Sequence, residues 1–478
     1  MAFDPPAPAP GWRNPLSRAV SAAAVVLLAA CSLGPRYHRP VIPAPDAWHE
    51  PAPAAPAGWP SADFWHRFHS PTLDGLLEEA RRANDDLAAA IARVREADAQ
   101  RRIAGAPLLP AVGVSANATR ARAPVSGAGV ETYDQFVPLL NVSYELDFWG
   151  KNRAALAAAR ANAAASRFDR ATVELTVMTS VASSYFQALE LRDRLAVAQQ
   201  NLASARHILD GLRLEQRVGT ATGLDVAQQE TAVATLYASI PPLEQALRQD
   251  IDALAILVGR PPESLDVASG TLDELVAPEV APGLPSELLG RRPDVAEAEA
   301  QLIGANANIA VARASLFPSI SLTGSGGYES SALSTLLKPA SRIWTLGAGL
   351  TQPIFEGGAL RGQLEYSKAR YQELLAGYHK AVISAFANVE DSLVALRQTA
   401  EQQERQQQAV DQARKAYRYA EAQMHAGTIN VLTLLSAQSA LLAAEDTLAQ
   451  VRFARLQASV NLFKALGGGW RQQDEEGG

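Results

Sequence analysis

The sequence predicts a mixed α+β membrane chain in which four transmembrane β-strands and long coiled-coil helices arise from a two-fold internal repeat. Three observations predict it. The two halves match at a constant offset of 208 residues, four segments alternate apolar and polar residues with period two, and the stretch between Gly150 and Gly219 contains no proline.

Composition and the N-terminus come first. Apolar residues make up 48% of the chain but aromatics only 6%, and this alanine-rich balance suits long close-packed helices better than one large globular core. A net charge of −7 without a basic stripe argues against a nucleic-acid-binding surface. Arg13 and Arg18 precede an apolar run, 19–30, that is too short to span a bilayer and has the layout of an export signal. The run ends Leu28-Ala29-Ala30-Cys31. Cys31 is the single cysteine, so it has no partner for an intramolecular disulfide in an oxidising compartment. Leu-Ala-Ala-Cys resembles the bacterial lipobox, whose cysteine sulfur receives diacylglycerol, and Ser32 stands where an Asp would favour inner-membrane retention. Residues 1–30 are therefore expected to be a lipoprotein signal peptide. Residues 31–62, crowded with Pro and Ala, are expected to be a lipidated N-terminus and extended tether.

The repeat is carried by residues that punctuate the backbone. The offset pairs Asp86 with Asp294, Pro110 with Pro318, Gly150 with Gly358, Gly219 with Gly427, Thr220 with Thr428 and Gly259 with Gly467. It divides the chain into a first repeat, 63–270, and a second, 271–467, with a flexible tail at 468–478. Each repeat reads as a helix, two strands, a long helix and a returning helix.

Strands are expected at about 110–122, 136–149, 318–329 and 343–356. Val112, Val114, Ala116 and Ala118 alternate with Gly113, Ser115, Asn117 and Thr119, and Leu346, Ala348 and Leu350 with Thr345, Gly347 and Gly349. Such two-faced strands, apolar toward lipid and polar toward a wet lumen, suit a transmembrane barrel; a half-buried soluble hairpin would show the same alternation. Tyr144, Phe148, Trp149, Phe317, Tyr328, Trp344 and Phe355 lie near strand ends, where interfacial aromatics belong. Four strands cannot close a barrel and open edges are not tolerated in lipid, so the chain must oligomerise. A dimer would give eight strands and a trimer twelve.

The proline-free stretch after Gly150 is long enough for a helix of roughly 100 Å. Val181, Ala188, Leu195, Leu202 and Leu209 recur at sevens, with Leu191, Ala198, Ala205 and Leu212 three residues on, which is a coiled-coil seam. The matching seam in the second repeat, Leu396 and Val410, is interrupted by Gln403. Gly219-Thr220 and Gly427-Thr428 then reverse the chain, and Pro241-Pro242 should kink or restart the first returning helix.

Chemistry is sparse. His66 and His69 form the only suggestive histidine pair and read as surface residues, and no nucleophile motif, phosphate loop or dinucleotide fingerprint occurs. No catalytic residue, metal ligand or cofactor is expected. Gly324-Ser325-Gly326-Gly327 reads as flexible barrel-end glycine.

Several motifs, spanning almost the whole chain, resemble the TolC-like outer membrane factors, in particular the NodT-type lipoprotein branch that serves resistance-nodulation-division efflux pumps. They are the run from Cys31 to Pro40, Asn84-Asp-Asp-Leu-Ala-Ala-Ala-Ile-Ala-Arg-Val94, Tyr144-Glu-Leu-Asp-Phe-Trp-Gly-Lys151 and Arg291-Arg-Pro-Asp294. The resemblance implies a homotrimer with a 12-stranded outer-membrane barrel and a 12-helix periplasmic tunnel. It also implies a periplasmic adaptor and an inner-membrane pump as partners, together with outer-membrane lipid. The turns at Gly219, Thr220, Gly427 and Thr428 correspond to the family's periplasmic tips, where adaptors dock. Asp225 corresponds to an acidic residue of the tunnel constriction, with Thr433 and Ser436 in the other hairpin; Ser436 stands where many relatives carry Asp. Asp225 lies near a helix start, where a capping role competes with a gating one. The implied function is a passive, gated conduit for small molecules, and the competing functions are a duct for type I protein secretion or a lipid-anchored periplasmic scaffold.

Overall fold

The protein is described by a computed structural model covering residues 34–50, 62–125, 129–267, 270–278 and 280–471. Cys31 and the predicted signal peptide lie outside these residues. Contacts divide the chain into two compact units. One gathers Glu96–Ala164 and Ala300–Ala376 with the described residues up to Arg39; the other holds the described residues of Pro40–Arg95, Ala165–Glu299 and Gly377–Gly478.

The first unit contains a four-stranded antiparallel sheet, order β1-β2-β3-β4, from β1 (Ala111–Val125), β2 (Gly129–Leu146), β3 (Ser319–Tyr328) and β4 (Arg342–Thr351). β1 pairs with β2 from Ala111↔Ser143 to Val125↔Gly129, whereas β2 pairs with β3 only from Leu139 to Leu146. The β1–β2 hairpin therefore runs on beyond β3. β4 stops at Thr351, short of the expected strand end; Pro353, two residues on, has no N–H to extend a ladder. Gly327 serves close approach, not flexibility: a Cβ there would collide with the Pro138 carbonyl.

Among the described residues, seven α-helices are longer than a single turn: α1 (Pro71–Ala83), α2 (Asp85–Gly105), α3 (Lys151–Arg217), α4 (Gly223–Leu257), α5 (Pro293–Ala314), α6 (Ala359–His425) and α7 (Val431–Ala465). α6 and α7 begin and end 208 residues after α3 and α4. The strand-to-helix junction before α3 explains the motif from Tyr144 to Lys151. The Asp147 carboxylate accepts the backbone N–H groups of Asn152 and Arg153 at 2.8 and 2.9 Å, satisfying two orphan donors of α3. Lys151 pairs with Glu145 at 2.6 Å, and the Trp149 indole donates to the Pro318 carbonyl while its ring packs on Phe317.

In the second unit the predicted seam is buried. Ala198, Leu202 and Ala205 of α3 close on Leu236 and Ile240 of α4, with Leu195 and Leu442 at the margin. In the second repeat Gln403, which interrupts the seam, accepts from Arg455 through its side-chain oxygen at 3.0 Å. Of the expected kink or restart at Pro241-Pro242, the restart does not occur: α4 runs unbroken through both prolines. Its packing through Leu236 and Ile240 against α3 holds the turn that the prolines weaken, and the Ser239 hydroxyl donates to the Leu236 carbonyl.

Two further expectations are corrected. Residues 46–50 do not hang free as a tether. Trp48 donates to the Gly283 carbonyl and packs edge-on to Phe386, and Glu50 pairs with Arg397 at 2.8 Å. The glycines after α7 are also ordered: a Cβ on Gly468 would strike Leu175, and Trp470 packs on Phe168. Residues 472–478 of the expected tail lie outside the described residues.

Candidate functional site: a two-faced sheet and two helical turns

The pleat sorts the sheet's side chains. Val112, Val114, Leu140, Val142, Leu322, Leu346 and Leu350 share one face by register, and they are exposed. Trp344, on the same face, is 76% exposed. The opposite face carries Ser115, Asn117, Asn141, Ser143, Ser321 and Thr323, with Asn141 bonded to Ser115 at 2.9 Å across the strands. Water does not account for so large a bare apolar face, whereas a lipid bilayer does. β1 and β4 are the edges of the sheet, so their outer backbone groups would be orphaned in lipid. Among the described residues no helix is long and apolar enough to cross a membrane.

The second unit holds the helical turns. Gly219 adopts φ +85° and Gly427 φ +67°, the left-handed geometry that lets a helix end and the chain reverse. The following threonine closes each turn twice. Thr220 gives its N–H and its hydroxyl to the Glu215 carbonyl at 2.9 and 3.1 Å, and Thr428 gives both to the Gln423 carbonyl at 3.0 Å. Gly-Thr is thus a local solution to the carbonyls left over at the ends of α3 and α6.

The returning helices start with different caps. At α4, Thr222 and Asp225 form a reciprocal pair: the Asp225 N–H donates to the Thr222 hydroxyl oxygen, and the Asp225 carboxylate accepts the Thr222 N–H at 2.9 Å and its hydroxyl at 2.7 Å. These bonds hold the Asp225 carboxyl below the usual carboxylate range. At α7 the same positions are Asn430 and Thr433, and the Asn430 side-chain oxygen accepts the Thr433 N–H at 3.1 Å and its hydroxyl at 2.9 Å. Ser436 is exposed one turn further along α7. Leu209, Leu212 and Val226 of the first hairpin close on Val431 of the second, which brings the two turns side by side. Around them Leu214, Val218, Leu224 and Leu432 remain exposed.

One group in this unit escaped the sequence reading. Asp250 of α4 is buried, one of its carboxylate oxygens has no partner, and burial with the nearby Glu190 pushes it up to about 7. Glu190 is itself raised by burial and bonded to Arg194, which also holds Asp446 of α7 at 2.6 Å. Its signal was present, since Asp250 falls on the apolar stripe Leu243, Leu247, Leu254 of α4. The suggestive histidine His66 pairs with Asp74 at 2.9 Å.

An exposed apolar sheet face with open edges, in a chain that also builds two long helical hairpins, defines the subunit of a membrane channel. The outer membrane efflux protein family matches residues 76–260 and 284–468. The chain is 42% identical to the pyoverdine export outer membrane protein OpmQ of Pseudomonas aeruginosa, over 95% of this chain and 97% of that one. It is 34% identical to a probable efflux pump outer membrane protein, TtgC, of Pseudomonas putida, over 96% of each. Among solved structures it is similar to the Campylobacter jejuni CmeC outer membrane channel, at TM-score 0.86 and 26% identity, over 92% of this chain and 96% of that one. It is likewise similar to the open state of the Neisseria gonorrhoeae MtrE outer membrane channel, at TM-score 0.84 and 29% identity, over 92% and 99%. The chain belongs to the outer membrane efflux protein family and is an outer-membrane efflux channel component.

Proposed function

We propose that three copies of this chain close a 12-stranded barrel and work, without chemistry of their own, as the gated exit duct of a tripartite efflux pump, anchored in the outer membrane through lipid on Cys31. The observation that carries this reading is the pair of open edges on a sheet whose apolar face is bare. Lipid leaves those edges no partner except another copy. Gly219-Thr220 and Gly427-Thr428 would be the periplasmic tips, and exposed Leu214, Val218, Leu224 and Leu432 give an adaptor an apolar surface to grip.

The gate would be a ring of Asp225 carboxylates, one per copy, which attract cations and repel one another. Thr433 and Ser436 of the neighbouring hairpin contribute hydroxyls but no charge. An adaptor can open such a ring only by binding the open form more tightly than the closed one. The 42% identity to a pyoverdine export protein favours a small secreted molecule as cargo over a protein.

Single-channel recording in planar bilayers tests the conduit. Small cation-selective currents that lose selectivity in Asp225→Ala support the gated ring, whereas a protein that never conducts sinks the duct and revives the scaffold. A mass measurement on membrane-extracted protein, with Cys31→Ala as control, tests the anchor.

A further inference from the structure

We infer that the outer end of the barrel seam is a binding site for the phosphate groups of an outer-leaflet glycolipid. The inference rests on the trimeric barrel proposed above. It starts from how charge is sorted at one end of the sheet. Arg120 pairs in register with Asp134, and Arg122 with Thr132, in line with outward-facing Val112, Val114, Ala116 and Ala118. At the start of β4, Arg342 is in line with outward-facing Trp344 and Leu346. The pleat therefore puts three arginines on the apolar face at that end, against the single carboxylate of Asp134, which lies 3.7 Å from Arg120. The carboxylates of Glu131 and Glu329 take the opposite parity, and Glu329 bonds Gln135 on that side at 2.7 Å. The outward face at this end thus carries three cations and one anion, and the inward face the other two carboxylates.

Depth and topology put these arginines at one level and one seam. A membrane strand needs about 9–11 residues to cross the hydrocarbon. Counted from Ala111, that length ends beside Arg120 and Arg122; counted back from Thr351 along the antiparallel β4, it ends at Arg342. All three stand where the hydrocarbon gives way to headgroups. β1 and β4 are the two edge strands, so barrel closure pairs them between copies. The basic ends of both strands then meet at each of three seams. Guanidinium groups bind phosphate through paired N–H donors, and a lipid with phosphate monoesters fits them better than one with a single diester. The exposed Lys338, in the connection before Arg342, adds a fourth cation to the same end.

Native mass spectrometry of the detergent-purified full-length protein, titrated with bis-phosphorylated lipid A and in parallel with phosphatidylglycerol, tests the site. The expected result is up to three tightly held lipid A molecules per trimer, with at least tenfold weaker retention in the combined Arg120→Gln, Arg122→Gln, Arg342→Gln variant. The variant should still run as a heat-modifiable trimer. A trimer whose lipid A retention is unchanged by the substitutions overturns the seam site alone, as does equal retention of phosphatidylglycerol. A wild-type protein that forms no trimer overturns the barrel and the seam together.

Discussion

The two repeats solve the same backbone problems with different side chains, and the places where they differ separate what folding requires from what it leaves free. At the helical turns Gly219-Thr220 and Gly427-Thr428 are interchangeable, with the same positive φ and the same doubled bond from threonine. At the base of the returning helices the geometry is also shared. Asn84 donates to the Leu257 carbonyl at 2.9 Å, and Arg292, 208 residues on, donates to the Ala465 carbonyl at 3.1 Å. The divergence lies one step further. Asp225 caps α4 with a carboxylate where Thr433 has none, and Asp250 buries a carboxylate where the second repeat has Ala458. Both helices form either way. Neither charge is therefore needed for the fold, and each is available for selection by function.

The comparison breaks most severely at the glycines where both repeats lack room. A Cβ at Gly259 would meet the Ala83 carbonyl and one at Gly467 the Arg291 carbonyl, each with positive φ besides. Gly259→Ala and Gly467→Ala should each cost about 3 kcal/mol or more, seen as loss of folded trimer on extraction and a lowered melting temperature. If one is tolerated and the other not, the repeats are energetically unequal at their bases.

Next in size is Asp250→Ala, which copies the second repeat. The buried carboxyl is raised from 3.8 to about 7, so its penalty is absent below pH 4, grows through pH 4–7 and persists above. The variant should gain roughly 1–2 kcal/mol above pH 7, after allowance for solvent screening, and nothing at pH 4. Thermal melts across that range check this. A variant that is less stable at pH 8 would show that Asp250 has a partner in the assembled protein.

Smaller effects belong to the caps. Thr222→Val and Asn430→Ala should each cost about 1 kcal/mol, read as faster hydrogen exchange in the first turns of α4 and α7 respectively. The smallest effect on stability and the clearest on conduction is expected of Thr433→Asp, which gives the second hairpin the carboxylate it lacks. It should change stability by about 0.5 kcal/mol or less and raise cation selectivity. Because its bonds to Thr222 lower Asp225, losing the hydroxyl in Thr222→Val should move the loss of cation selectivity on acidification to higher pH than in the wild type.

The turns were legible in the sequence because glycine and threonine act through their own backbone neighbours. The strand alternation was legible for the same reason, since one side chain in two must face lipid. The capping role weighed for Asp225 near a helix start is local too, and the structure adds its partner, Thr222, and the matching cap Asn430. Asp250 is legible only as a polar residue on an apolar stripe; its isolation depends on the fold, which buries it near Glu190 while Arg194 is bonded to Glu190 and Asp446 instead.

The sequence by itself determined the repeat, the two-faced strands, the reversals and the need for other copies, because each follows from periodicity or from one residue's allowed φ and ψ. Only the tertiary structure decided that α4 runs through Pro241-Pro242, that residues 46–50 are clasped by α6, and that Gly467–Trp470 are packed instead of loose. These outcomes depend on contacts between residues far apart in the chain, where packing outweighs a local preference worth a few kcal/mol.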